Sequence, residues 1–579
     1  MKRRKFLGNL AAGSGLVVLN PIYASHRKTN SKKFDNIIVE GRTLEADLVI
    51  IGGGTGGCAT ALGALRNGLT VIMTEETDWI GGQLTQQGVP PDEHKWINDF
   101  GATALYREFR KKVREYYRNN YPIKPELAEN ERFNPGNASV SEISHEPKIS
   151  LRVLETMIDP YISAGKLVLL KETVALDAST KGNRVQSVRV KNLRSGEIRN
   201  LKGTYFADAT ELGDLLPMTG TEYVCGAEAK SDTGELHAAE IADPTNNQAF
   251  TVCFAMDYRP NEDWTIDKPE EYGFWRDYRP EMKKPWAGKL LELNYSNPRT
   301  LQPKNLGFDP RGNSLGEVLN LWNYRRILAK DNFKEGFLTG DITLVNYPQN
   351  DYFLGNVVDV SDEELKYHID RAKQLSLSLL YWLQTEAPRA NGGKGWPGIR
   401  LRPDVMGTTD GLAKYPYIRE ARRIKPLFRI TEHHVGKAQR ASIQGVTESE
   451  ARAKDFGDSV GIGYYHIDLH PSSGGDNYID FASLPFQIPL GALIPQRMEN
   501  IFPVNKNIGT THLTNGCYRL HPVEWSIGEA IGMFVPFLME TGSSPQKVYK
   551  DAAEVRKFQS LIRNQGVDTH WPYEKMKWD

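Results

Sequence analysis

Ala46-Asp47-Leu48-Val49-Ile50-Ile51-Gly52-Gly53-Gly54-Thr55-Gly56-Gly57 decides the fold of this chain. A short apolar run rich in β-branched residues leads straight into glycines spaced GxGxxG, and small residues follow from Cys58 to Asn67. The pattern predicts strand, tight turn and helix, with Gly68 as the C-terminal cap. Gly52 permits the turn, Gly54 lets a pyrophosphate approach the backbone, and Gly57 lets the helix pack on the strand. Thr55 and Gly56 complete the loop, and phosphates are expected on the helix N-terminus. Thr70 to Thr74 reads as a second strand ending at Glu75, 23 residues after Gly52. A carboxylate there accepts both hydroxyls of an adenosine ribose and repels a phosphorylated one, which disfavours NADP. Gly393-Lys394-Gly395-Trp396-Pro397-Gly398 has the same spacing. No strand precedes it and Pro397 disturbs a helix start, so it is read as a loop.

Further along, Asp78-Trp79-Ile80-Gly81-Gly82-Gln83-Leu84-Thr85 brings a second glycine pair, Lys202 to Asp214 reads as a strand ending in a polar turn, and Asn505 to Gly532 gives another strand, loop and helix. With the block Asn507 to Gly532, NIGTTHLTNGCYRLHPVEWSIGEAIG, the chain resembles the FAD-dependent oxidoreductases of the glutathione-reductase-like superfamily, in their exported bacterial branch. The resemblance runs from about Ala46 to Gly566 and is least over Asp257 to Lys414. It implies FAD as cofactor. Gly52, Gly54 and Gly57 would hold the pyrophosphate and Glu75 the ribose. Gly82, Gln83 and Thr85 would approach the flavin, Asp208, Thr210 and Gly213 would close over the cofactor, and the helix start carrying Glu524 and Gly528 would face the isoalloxazine. Read from the residues themselves, Pro522 suits a first helical turn and Glu524 its positive end.

The implied fold class is α/β: a Rossmann-like FAD-binding domain, its parallel sheet interrupted by a β-meander, plus a mixed α+β substrate or cap domain. Residues 44–225 form the first part of the FAD domain, 226–495 the cap, and 496–579 the rest of the FAD domain with a helical tail. The meander is expected between Lys166 and Ala207, with turns at Gly182-Asn183 and Ser195-Gly196. Ser361-Asp362-Glu363-Glu364 reads as a capping box before a packing helix. Asp257 to Trp322 has little periodicity and is expected to be loop-rich.

The first 24 residues are set aside. Arg3-Arg4 ahead of Phe6-Leu7 and a weakly apolar stretch to Leu19 reads as a twin-arginine export signal cleaved near Ala24, which implies a periplasmic or otherwise exported protein, delivery by the twin-arginine machinery, and a cofactor inserted before export. Gly13, Ser14, Gly15 and Asn20 interrupt that stretch, and no later one is long enough for a stable membrane span. The 579 residues suffice for two or three domains, and 72 basic against 72 acidic residues argue against a nucleic-acid partner. Four cysteines, none in a CxxC pair, exclude a disulfide framework.

Oxidising an alcohol through a flavin needs a proton acceptor, and histidine is matched to that work. His512 and His521 in the C-terminal block are the candidates, with Arg519 between them to hold an anionic or hydroxylated substrate; His521 also reads as a helix-start residue bonded to backbone. His466, Asp468 and His470 alternate onto one strand face as a pocket wall, and no metal site is expected, since ligands on one strand diverge. Tyr417 to Arg423 reads as an acid-binding run or as internal ion pairs, and Cys517 as a small buried residue. Trp264, Trp275, Trp286 and Trp322 suit sugar faces as well as a core. The expected function is therefore an FAD-dependent oxidoreductase taking hydride from a small polar, sugar-like substrate and passing electrons to an unidentified acceptor such as a quinone or oxygen. The alternatives are a flavin-containing lyase acting on carbohydrate and a non-catalytic flavin-binding protein.

Overall fold

The computed structural model describes residues 36–576; the proposed export signal lies outside them. The strand Thr43–Ile51 is buried without a break from Ala46 to Ile51, as expected of a parallel strand covered on both faces. It sits at the centre of a parallel sheet whose order is Leu167–Leu170, Val71–Thr74, Thr43–Ile51, Ile198–Asp208 and Ile501–Pro503. The hairpin Thr173–Lys181 and Arg184–Asn192 pairs antiparallel with the first half of Ile198–Asp208, turning about Gly182. This is the expected meander with one correction. Leu167 and Leu169 belong to the parallel sheet's edge, since alternation over four residues does not tell an edge strand from a meander strand.

The helix Thr55–Arg66 starts three residues earlier than the Cys58 expected. It packs backbone to backbone on the helix His521–Thr541. A Cβ on Gly528 would lie 2.1 Å from Gly56 O, and one on Gly532 would lie 2.4 Å from Thr60 O. These two helices close one face of the sheet and bring the last part of the chain onto the glycine turn.

A second apolar core gathers residues between 212 and 478 around an antiparallel sheet ordered Arg326–Leu328, Ile342–Val345, Phe254–Tyr258 and Ile399–Leu401. The 24-residue helix Asp362–Thr385 covers it. Ser361 Oγ accepts the Glu364 N–H at 3.2 Å, and Ala372, Leu375, Leu379 and Trp382 are buried. Trp275 and Trp322 are core residues of the same cluster, which removes them as a sugar platform. Among the described residues no helix is long and apolar enough to cross a membrane.

Candidate cofactor and substrate sites

Gly52 has φ +96°, and a Cβ there would fall 2.3 Å from the Ala209 carbonyl oxygen. Its N–H is donated to Thr74 Oγ1 at 3.0 Å, and the Gly53 N–H to Glu75 Oε2 at 3.0 Å. The other Glu75 oxygen accepts from Thr77 N–H at 2.8 Å and Gln86 Nε2 at 2.9 Å. Strand end, turn and acid are thus tied together before any ligand binds. Burial pushes the Glu75 carboxyl up to about 7, against those hydrogen bonds. A Cβ on Gly57 would lie 2.7 Å from Gly52 O, the close helix-to-turn contact the spacing required. Gly52, Gly54, Glu75 and Thr210 line one cavity of about 230 Å³ together with Gln86, Glu211 and Tyr415.

Several expected cofactor residues also hold the framework together. Gly56 donates its N–H to Asn505 Oδ1 at 3.1 Å, and a Cβ there would meet Val504 O at 1.7 Å, so it locks the C-terminal segment against the loop, as Gly528 does from the other side. Asp208 is fully buried and accepts from Thr210 Oγ1 at 2.7 Å and the Leu215 N–H at 3.2 Å, fixing the polar turn; burial pushes its carboxyl up to about 7. Gly213 (φ +71°) completes that turn. Thr55 Oγ1 donates to Gly81 O at 2.9 Å and Thr85 Oγ1 to Ile80 O at 2.7 Å, which holds the second glycine pair against the first.

From this cavity a buried polar seam leads toward the C-terminal block. Lys506, a residue sequence reasoning missed, is 2% exposed and pairs with Glu211 Oε2 at 2.6 Å and Glu524 Oε1 at 3.3 Å. Burial opposes its charge, but the two carboxylates outweigh it and hold its pKa above the usual value. Gln83 Nε2 donates to Glu524 Oε2 at 2.6 Å and to the Arg519 carbonyl at 3.0 Å. Along the seam Gln83 Oε1, both Gln87 amide atoms and Glu211 Oε1 are buried with no hydrogen-bond partner among the described residues. Buried polar atoms are rarely left so. A long polar cofactor with its ribose at Glu75 and its ring end at Gln83 and Arg519 would meet them, and the residues present fit FAD.

Arg519 and Leu520 also line a second cavity, of about 280 Å³, walled by Asp92, Tyr324, Arg325, Tyr417, Tyr465, His466, Asp468, His470 and Asp480. Arg519 donates to Tyr417 Oη at 2.7 Å and lies 3.3 Å from Asp468 Oδ2. His470 Nδ1 meets Asp351 at 2.6 Å, and its Nε2 is 3.6 Å from Asp468 Oδ2. His466, Asp468 and His470 do share one wall, as their alternation implied. Ligand atoms of His466, Asp468 and Asp480 lie within 4.8 Å of one another, but Arg519 and Arg299 already pair with the two carboxylates.

The expected catalytic trio is not brought together. His512 binds Glu420 at 2.8 Å and opens with Glu228 and His237 on a separate cavity of about 260 Å³. The missed helix His512–Tyr518 turns it away from the Arg519 cavity. His521 lies behind Leu520, fully buried, and its Nδ1 accepts the Asp92 N–H at 3.0 Å. That bond places its proton on Nε2, and burial pushes its pKa down to about 4, so it is a neutral donor in this geometry, not a base. In the Tyr417 to Arg423 run, Arg419 pairs with Asp351 at 3.0 Å and Arg423 with Glu228 at 3.0 Å, so most of it is internal ion pairing. Cys517 is fully buried, and burial pushes its thiol up.

Three solved structures show weak likeness. A geranylgeranyl bacteriochlorophyll reductase-like protein from Thermoplasma acidophilum is 11% identical over 91% of this chain and 85% of that one, with TM-score 0.32. A variant of E. coli quinol fumarate reductase FrdA is 11% identical over 90% and 74%, with TM-score 0.31. L-proline dehydrogenase from P. horikoshii is 17% identical over 32% of this chain, which spans only 24% of that chain, with TM-score 0.16. No curated protein matches significantly. The family model described as FAD dependent oxidoreductase matches residues 47–562, from the first core strand to the last long helix. The chain belongs to the FAD-dependent oxidoreductase family.

Proposed function

We propose that this oxidoreductase accepts hydride from a small, polar, hydroxylated substrate of sugar-like character, bound in the cavity beside Arg519, and that it does so outside the cytoplasm after twin-arginine export. The supporting observation is one backbone junction: the Arg519 carbonyl is held by Gln83 on the cofactor seam, while the Arg519 side chain forms the substrate cavity wall. The tyrosines of that wall, not the tryptophans, supply the flat apolar faces; Tyr295, Tyr417 and Tyr478 all line it.

Bound FAD supplies the hydride acceptor. The chain's own part is to orient the substrate and take its proton. Arg519 and Asp468 offer a donor and an acceptor for hydroxyl groups. His470 replaces His512 as the general base. Asp351 fixes its Nδ1, as a carboxylate does for a catalytic imidazole, and its Nε2 faces the cavity at Asp468. Electrons then leave to an acceptor such as a quinone or oxygen.

Anaerobic mixing of the FAD-loaded protein with sugars and sugar derivatives tests this. Bleaching of the flavin band supports dehydrogenation; product without net bleaching indicates a lyase, and neither outcome indicates binding alone. Export is tested by Arg3→Lys with Arg4→Lys, which should retain the protein in the cytoplasm; unchanged export would reject the twin-arginine route.

A further inference from the structure

Arg325 stands at the end of the short helix Leu321–Tyr324 and lines the same cavity as Arg519. It is 8% exposed, and its guanidinium lies over the Tyr324 ring, 5.0 Å from the centroid. Its carboxylate neighbour is Asp92, at 3.6 Å, beyond hydrogen-bond length. Among the described residues neither its Nε nor its Nη1 has a hydrogen-bond partner. Arg419, on the same cavity, shows what a structural arginine looks like here: it donates to Ala249 O, Thr251 Oγ1 and Asn346 Oδ1 and pairs with Asp351. Arg519 resembles Arg419 in this respect: among the described residues each is bonded through both Nη atoms with only Nε unpartnered, so Arg325 is the exception on this cavity.

A buried guanidinium with unused donors is unfavourable unless something else accepts from it. Arg325 itself lines the cavity, so a ligand there meets its guanidinium. A guanidinium fork matches a carboxylate or a phosphate through two parallel N–H bonds and holds it in a fixed orientation. Asp92, Asp468 and Asp480 line the same cavity, so a single negative charge fits it while a dianion such as phosphate meets repulsion.

We infer that the substrate is a hydroxylated carboxylic acid, its carboxylate taken by Arg325. This rests on reading the Arg519 cavity as the substrate site. The carboxylate would anchor one end of the molecule near Tyr324, leaving its hydroxyl-bearing carbons along the Asp468 and His470 wall.

Titration calorimetry on the FAD-loaded full chain tests the inference apart from turnover. The probes are glycolate, lactate, D-gluconate and D-glucuronate, each against its neutral amide, with inorganic phosphate as the competing anion. At least one acid should bind tenfold or more tighter than its amide and tighter than phosphate. Arg325→Gln should abolish that preference and Arg325→Lys keep part of it, with the flavin spectrum reporting that both variants remain folded. If no acid outbinds its amide, if phosphate binds tightest, or if the preference survives in Arg325→Gln, the inference is overturned. The comparison of acid with amide needs no variant, so a misfolded Arg325→Gln does not spare it. Acid-selective binding without flavin bleaching would support the anion site and reject oxidation of that compound, which separates this inference from the proposed function.

Discussion

Replacing Gly52 by alanine probes the cofactor cradle at its tightest point. At φ +96° an alanine is strained by about 1–3 kcal/mol. Its Cβ would also sit 2.3 Å from Ala209 O and 2.6 Å from Thr210 N, both backbone atoms that no side-chain rotation can move. Ala209 O accepts from Asn505 Nδ2 at 2.8 Å, and relieving the clash disturbs that bond at about 0.5–1.5 kcal/mol more. A combined effect of about 3 kcal/mol on the cradle corresponds to about 150-fold weaker FAD binding. Titrating FAD into apoprotein and following quenching of flavin fluorescence reads this directly. The control is Gly182→Ala at the meander tip, where φ is +60° and nothing lies within 4 Å of an added Cβ. It carries backbone strain but should leave FAD affinity unchanged. A Gly52→Ala protein that binds FAD within threefold of the parent would refute the reasoning.

The histidines give a second, sharper division. His470→Gln should slow flavin reduction and shift its pH profile while the protein stays yellow, His521→Ala should slow reduction without moving the profile, and His512→Ala should leave the rate within about threefold; stopped-flow reduction across pH separates them. Glu529 is buried against Thr103 and Trp525, and burial pushes its carboxyl from 4.5 up to about 7. Because its folded value is raised, its stabilising contribution is complete below pH 4.5 and is lost as pH rises through 7, amounting to about 3 kcal/mol at most. Urea unfolding of Glu529→Gln should therefore fall less steeply over that window than the parent; parallel curves would contradict the assignment. Lys506→Met should destabilise the protein by about 3–5 kcal/mol by leaving Glu211 and Glu524 buried without a cation, measurable as a lower urea midpoint.

Much of the cofactor half was legible because each requirement there is local. Gly52 answers to the positive φ of its own turn, Gly57 to the Gly52 carbonyl and Glu75 to the end of the next strand, whereas the Ala209 backbone that Gly52 also meets is supplied by the fold. The cavity beside Arg519 was legible only in its His466, Asp468 and His470 wall, because its other parts meet only through the fold. His470 finds Asp351, 119 positions away, and Arg325 meets Asp92 from a distant part of the chain. His512 and His521 looked equivalent because the intervening helix carries Asn515 and Gly516, poor helix formers that hide it. Once that helix forms, His512 opens on a cavity of its own while His521 is fully buried. The basic run at Tyr417 to Arg423 read either as ligand-binding charge or as internal ion pairs, and the second holds: Arg419 and Arg423 are buried with their acids. Glu420 lies in the run itself, whereas only the fold supplies Asp351.

The absorption spectrum of the purified protein, before and after acid precipitation and with FAD added back, tests the central claim most directly. The account predicts a yellow protein with a flavin band near one FAD per chain, or an apoprotein that regains the band when FAD is supplied. A folded sample that is colourless and takes up no FAD would contradict it.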